Sequence, residues 1–208
     1  MGPINQDYNY YENIYNFIEA KNNDGKNTVT LLDGTNYGKK ASINTIKGTD
    51  KKTYKITRIY DEAFKGNTTI TNVSIGSNVL FIGDSAFDGC TNLKSVSFGS
   101  KVKEIGDRAI AGAAITKANV SGKVETIGSY AFAGCTYLKS ASIAGKVNSI
   151  GESAFDGCTA LTTVKIGNTV KTVSARAFDG CTGLKTLNIG SGVEVIGVGA
   201  FGGCSNLP

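Results

Sequence analysis

Five thiols are the residues of this chain best suited by type to chemistry: Cys90, Cys135, Cys158, Cys181 and Cys204. A thiolate can act as a nucleophile, bind a metal or pair into a disulfide, and each use needs a particular spacing. These five share one position of an internal repeat, with Asn67 and Ala113 standing there in other copies. Side chains stacked in register give a poor disulfide torsion, and disulfide frameworks favour irregular spacings in small, core-poor domains. Zinc is disfavoured too, because the chain has no His and no Cys-x-x-Cys. The pattern predicts an inward-facing ladder of buried, reduced thiols, a place suited to a small polarizable side chain.

The other reactive types are thin. Without His the commonest general base is missing. Asp84, Asp88, Glu104, Asp107, Glu152, Asp156 and Asp179 fall at outward-looking repeat positions. Asp88, Asp156 and Asp179 share one position, but the run is too sparse for a calcium-binding roll, which needs Asp at each turn of a nine-residue repeat. The recurring glycines lack the Gly-Lys-Ser/Thr ending of a phosphate loop. No catalytic, cofactor or metal site is expected, and the chain reads as non-enzymatic.

These residues are positioned by a repeat. Units open on Ile56, Val79, Val102, Val124, Val147, Val170 and Val193, in steps of 23 residues with one step of 22. Each carries a small-large pair, such as Ala86-Phe87, Ala131-Phe132 or Ala154-Phe155. A Gly follows two residues on, and then a spaced triplet such as Leu93-Val96-Phe98 or Leu161-Val164-Ile166. One unit cannot bury these groups alone. Stacked units lay like on like about 4.8 Å apart, the strand spacing of a sheet. The triplet ends in a period of two, as a strand with one buried face requires. The prediction is a solenoid of stacked coils with a parallel sheet and a column of Phe side chains. The short unit lacks a residue near 113–115, where a tightened loop is expected and not a break.

The motif Ile-Gly-x-x-Ala-Phe-x-Gly-Cys-Thr-x-Leu-x-x-Val-x-Ile resembles the BspA-like leucine-rich repeat family of bacterial and protist surface proteins. The resemblance implies a leucine-rich repeat solenoid, β-rich and of the α/β horseshoe class. It also implies an extracellular or cell-surface location and an adhesin-like role in attachment to a host or neighbouring-cell surface protein or glycan. The family often has Pro where this chain has Gly76, Gly99, Gly167 and Gly190, so that corner is expected to be looser here.

About seven units fill 53–208, the last one incomplete, and 1–52 do not repeat. An open solenoid end exposes core and sheet edge, so 1–52 reads as an N-terminal capping segment. Tyr11, Ile14, Tyr15 and Ile18 fall at helical spacing, which predicts a helix over about 7–21 with Asn5 or Asp7 as its N-cap. Strand-like runs follow at 27–32, 41–46 and 53–58. The tyrosines Tyr8, Tyr10, Tyr11 and Tyr15 are an alternative partner site. At the other end the last coil has no cap. That predicts either a fragment of a longer protein or end-to-end self-association.

The 208 residues are enough for a substantial core, and the net charge of +5 falls well short of a nucleic-acid signature. Lys101, Lys123 and Lys146 should form a short basic stripe, read as a solvated edge or as a contact for an acidic polymer. No apolar run approaches the ~20 residues of a membrane span, and Met1 is not followed by a signal peptide. Between the buried strand residues lie Asn72, Ser74, Ser95, Ser97, Lys117, Asn119, Ser140, Ser142, Thr163, Lys165, Thr186 and Asn188, the candidate binding face. It lacks the Trp, Tyr and Arg of protein hot spots and suits sugar-like ligands or many weak contacts. Two functions follow: a binding module, or a structural subunit assembling end to end or laterally into a fibre or layer.

Overall fold

A computed structural model describes residues 8–12, 17–23, 27–35, 37–48 and 50–208. The first strands are β1 (Tyr8–Glu12), β2 (Phe17–Asn23), β3 (Thr28–Asp33), β4 (Lys40–Ile43), β5 (Thr45–Gly48) and β6 (Thr53–Ile59). Each later coil then adds two short strands. They are β7 (Asn72–Ile75) with β8 (Phe81–Ile82), β9 (Ser95–Ser97) with β10 (Glu104–Ile105), and β11 (Lys117–Val120) with β12 (Thr126–Ile127). After them come β13 (Ser140–Ile143) with β14 (Ser149–Ile150), β15 (Thr163–Ile166) with β16 (Thr172–Val173), and β17 (Thr186–Ile189) with β18 (Val195–Ile196). Apart from the antiparallel β5–β6 pair, all neighbours from β6 onward pair in parallel, as stacked copies of one coil must.

Each coil has three sides. The Leu-x-x-Val-x-Ile triplet makes the main strand, and the opening Val with its Ile makes the shorter one. The Ala-Phe segment makes a run of turns that carries the large side chain inward. The core is a set of columns. Phe64 stacks on Phe87 at 4.7 Å between ring centroids, and Phe132, Phe155, Phe178 and Phe201 follow at 4.9, 4.9 and 5.4 Å. Ile110 fills the place between Phe87 and Phe132, and Phe98 meets Phe132 edge-on at 6.3 Å. Burying one such ring stabilises by ~1.5–3 kcal/mol, whereas an exposed pair such as Lys171–Glu194 adds at most ~1 kcal/mol. The columns, not the surface charges, hold the coils together.

The short unit does more than tighten a loop. The short-strand sheet runs unbroken from β6 through β8, β10 and β12 to β18. The main sheet, however, divides into β4-β7-β9 and β11-β13-β15-β17. Gly112-Ala113-Ala114-Ile115 reaches the strand in three residues where Gly89-Cys90-Thr91-Asn92-Leu93 takes four. So β11 starts out of step with β9, and no ladder forms between them. Val96 and Phe98, expected in the core, are only half-buried at this seam.

The helix expected over 7–21 is not what the described residues of that stretch form. Tyr8–Glu12 and Phe17–Asn23 are antiparallel strands, with Tyr10 opposite Glu19. Tyr, Phe and Ile are strand formers and Asn is a poor helix former. The sheet edge at β3 also offers β2 a template, and the two pair antiparallel. Asn5, Asp7 and Tyr15 lie outside the described residues. Parallel stacking begins ahead of residue 53: β3 pairs with β6 and β4 with β7, while Tyr37 heads the Phe column 5.6 Å from Phe64. The run at 41–46 divides at Asn44, where the chain leaves one sheet for the other.

The glycine corner is tighter than expected, not looser. A Cβ built on Gly99 would lie 2.2 Å from the Gly76 carbonyl oxygen, one coil below. Proline, which carries a Cβ, does not fit this backbone.

Candidate functional site

None of the twelve residues of the candidate face is buried. The alternation of the strands fixes this: in β7 Val73 and Ile75 point into the core and Ser74 points out. In β15 Val164 and Ile166 point in and Lys165 points out. The divided main sheet separates the face into two arrays. Asn72, Ser74, Ser95 and Ser97 lie on β7 and β9, beside Lys40 and Ser42 of β4. The other eight lie on the four-stranded array from β11 to β17.

The first array is knit by its own side chains. Asn72 Nδ2 donates to Ser95 Oγ at 2.6 Å, and Ser97 Oγ donates to Ser74 Oγ at 3.3 Å. Together with Lys40, Ser42 and the strand backbones, these residues line an open recess of about 370 Å3. The second array carries Lys117 and Lys165 among Ser, Thr and Asn. Both arrays present small hydroxyls and amides; nothing in either array aligns a base with a nucleophile.

The cysteines sit as a column beside the rings. Cys90, Cys135, Cys158 and Cys181 are buried and Cys204 is half-buried, all as free thiols. Each donates its S–H to a carbonyl of the preceding coil: Cys90 to Phe64 at 3.0 Å, Cys135 to Ile110 and Cys158 to Phe132 at 3.2 Å, Cys181 to Phe155 at 3.2 Å. Burial pushes the Cys90 thiol up to about 11 and that of Cys135 to about 12. The neighbouring Cys181 thiol, and burial after it, raise Cys158 well above the ordinary range. Such thiols stay protonated and unreactive near neutral pH. Among the described residues no cluster of three or more His, Cys, Asp or Glu could hold a metal ion, and no helix is long and apolar enough to cross a membrane.

Two surfaces were less visible in the sequence. Val195 and Val198 of the last coil are exposed, and so are Ile196 at 53% and Ile189 at 43%, which occupy core positions in earlier coils. Tyr137 stands 64% exposed at the seam of the main sheet. Its repeat position holds Thr, Asn, Ala or Gly in the other full units, and that aromatic exception was the available signal.

The family model described as BspA type leucine rich repeat region matches in six copies, over residues 57–185 and 126–208. Among solved structures, the fold is similar to a leucine-rich repeat protein of T. pallidum at 26% identity and a TM-score of 0.81, covering 92% of this chain and 88% of that one. It is also similar to a leucine-rich cell surface protein of Faecalibacterium prausnitzii at 26% identity and a TM-score of 0.76. That match covers 100% of this chain and 54% of the other, so the chain spans about half that relative's length. No curated protein matches the sequence.

Proposed function

The chain belongs to the BspA-type leucine-rich repeat family, and from that premise we propose that it is a non-enzymatic, adhesin-like binding module of the cell surface or extracellular space. Leucine-rich repeat proteins are generally protein-binding modules. The observation that carries the reading is the outward polar face of the main sheet, knit at Asn72, Ser95, Ser74 and Ser97 and opening a recess of about 370 Å3. Its partner is a surface protein or glycan of a host or neighbouring cell, held by many weak polar contacts. The surface location draws support from the Faecalibacterium relative, which is described as a cell surface protein. The test is binding to an array of matrix proteins and glycans, with Ser74→Arg and Ser97→Arg as blocking variants. A signal that both variants abolish supports the reading. No signal on any component, or one indifferent to both variants, overturns it.

A further inference from the structure

The deletion that divides the main sheet leaves an unfilled place in the ladder of turns beside it. In a full unit one residue sits between the Thr or Ser and the Leu of the turn: Asn92, Tyr137, Ala160, Gly183 and Asn206. The fourth coil, running Gly112-Ala113-Ala114-Ile115, has no such residue. Asn92 of the third coil and Tyr137 of the fifth therefore flank a notch of about 410 Å3, whose floor is Ala114 and Thr116 and whose rim is Thr91 and Lys94. Coils repeat at about 4.8 Å, so these walls stand roughly 9.6 Å apart, backbone to backbone, enough for one ring between them.

The groups around the notch are unusually free. Tyr137 is 64% exposed, against 48% for Tyr60 and 38% for Tyr130. Elsewhere the hydroxyl at the position of Thr116 serves the stack: Thr71 Oγ1 donates to the Lys39 carbonyl at 2.9 Å, and Thr162 Oγ1 to the Lys139 carbonyl at 3.0 Å. At the seam that bond is missing, and among the described residues the Thr116 and Thr91 hydroxyls have no partner. Asn92 Nδ2 is fixed on the Thr68 carbonyl at 2.7 Å, which leaves its Oδ1 as a free acceptor. Lys94 takes part in no ion pair among the described residues.

We propose that this notch binds a carboxylate-bearing pyranose, a hexuronate unit of an acidic glycan. The apolar C–H face of the ring lies on Tyr137. Its hydroxyls bond to Thr91, Thr116 and Asn92 Oδ1, and its carboxylate pairs with Lys94. An aromatic plane beside a few convergent polar groups is the usual make-up of a small-ligand site. The site is separate from the polar sheet face and does not depend on binding there.

The test is a backbone-amide NMR titration of the intact chain with D-glucuronate, with methyl β-D-glucopyranoside and acetate as separate arms. Saturable shifts at Asn92, Ala114, Thr116 and Tyr137 are expected with glucuronate, weaker ones with the glucoside, and none at these sites with acetate. Tyr137→Ala should weaken binding by about tenfold, the scale of one aromatic contact, and Tyr137→Phe should keep it. Inserting one Asn between Ala114 and Ile115, which restores a 23-residue unit, should abolish it. Absence of saturable shifts, equal response to acetate or to the glucoside, or binding that survives either Tyr137→Ala or the filled notch would overturn the proposal. Ser74→Arg and Ser97→Arg should leave this titration unchanged, so failure here and failure of the sheet-face reading are told apart.

Discussion

Asp84 Oδ1 accepts a hydrogen bond from the backbone N–H of Asp107, its counterpart one coil on, at 2.8 Å. Asp61 does the same for Asp84 at 3.0 Å and Asp107 for Ser129 at 2.7 Å, so three carboxylates clip four successive coils. Asp84→Asn keeps an acceptor oxygen in that place and should leave stability nearly unchanged. Asp84→Ala strands the Asp107 N–H and should cost ~1–2 kcal/mol. Urea midpoints at constant slope measure both, and equal midpoints for Ala and Asn would remove the clip from the account.

Phe155 lies between Phe132 and Phe178, with 4.9 Å to each ring and nearly parallel planes. Phe155→Ala opens a cavity that rigid coils on both sides cannot close, and should cost ~3–5 kcal/mol. Phe155→Ile should cost clearly less, because the chain already accepts Ile110 in this column. Denaturant unfolding of the two variants checks the order; the reverse order would mean the column is not continuous.

The buried thiols make the fold sensitive to alkali. Burial holds Cys90 at about 11 and Cys135 at about 12, above the ordinary 9.0. Between those values the unfolded chain has given up protons that the folded coil retains, so raising the pH favours unfolding. This contribution is whole below pH 9 and is lost as pH climbs through the folded values. The urea midpoint should fall between pH 9 and 11, and fall less steeply in Cys135→Ala, which copies the natural Ala113. Thiol labelling in the native state should reach Cys204 first, since it alone is half-exposed.

The solenoid was legible because every coil repeats one solution: a Phe, an Ile and a Leu in fixed places announce columns before any coordinate is known. What escaped was set by relations between coils. The first stacked coil was hidden by its length, since Thr71 pairs with Lys39 32 residues away while Asn72 pairs with Ser95 at 23. The tyrosines of β1 fit a helical spacing and a strand composition equally, and a neighbouring sheet edge decided between them. The face of Asn72, Ser74, Ser95 and Ser97 was legible from period two. Its division from Lys117 onward was not, because a one-residue deletion shows the missing turn but not which of two sheets yields.

A recurring left-handed residue gives another test. Glu62, Ser85, Arg108, Tyr130, Ser153 and Arg176 share one repeat position and all have φ between 52° and 62°. The last coil has Gly199 there, at 64°. Ser85→Gly should shift stability by less than ~1 kcal/mol, because relief of strain offsets the added freedom of the unfolded chain. Ser85→Val puts a β-branched side chain into a region it avoids and should cost ~1–3 kcal/mol. Thermal midpoints of the pair, compared with the native chain, read the difference directly.

Gly99 and Gly76 set how closely two coils approach at the corner after the main strand. A methyl group on Gly99 would sit 2.2 Å from the Gly76 oxygen and 2.9 Å from the Ile75 oxygen, both backbone atoms that cannot rotate away. Gly99→Ala must therefore push the third coil off the second, on the side where the sheet already ends at β9. The expected cost is ~1–3 kcal/mol, the usual range for overpacking. Gly66→Ala is the contrast, for its added Cβ meets nothing within 4 Å, and only its φ of +68° opposes it. Amide exchange separates the two mechanisms. Gly99→Ala should speed exchange along β7 and β9, where the ladder is forced apart, and Gly66→Ala should leave those strands protected. If both variants lose stability with β7 and β9 equally protected, the corner is not what fixes the spacing of the coils.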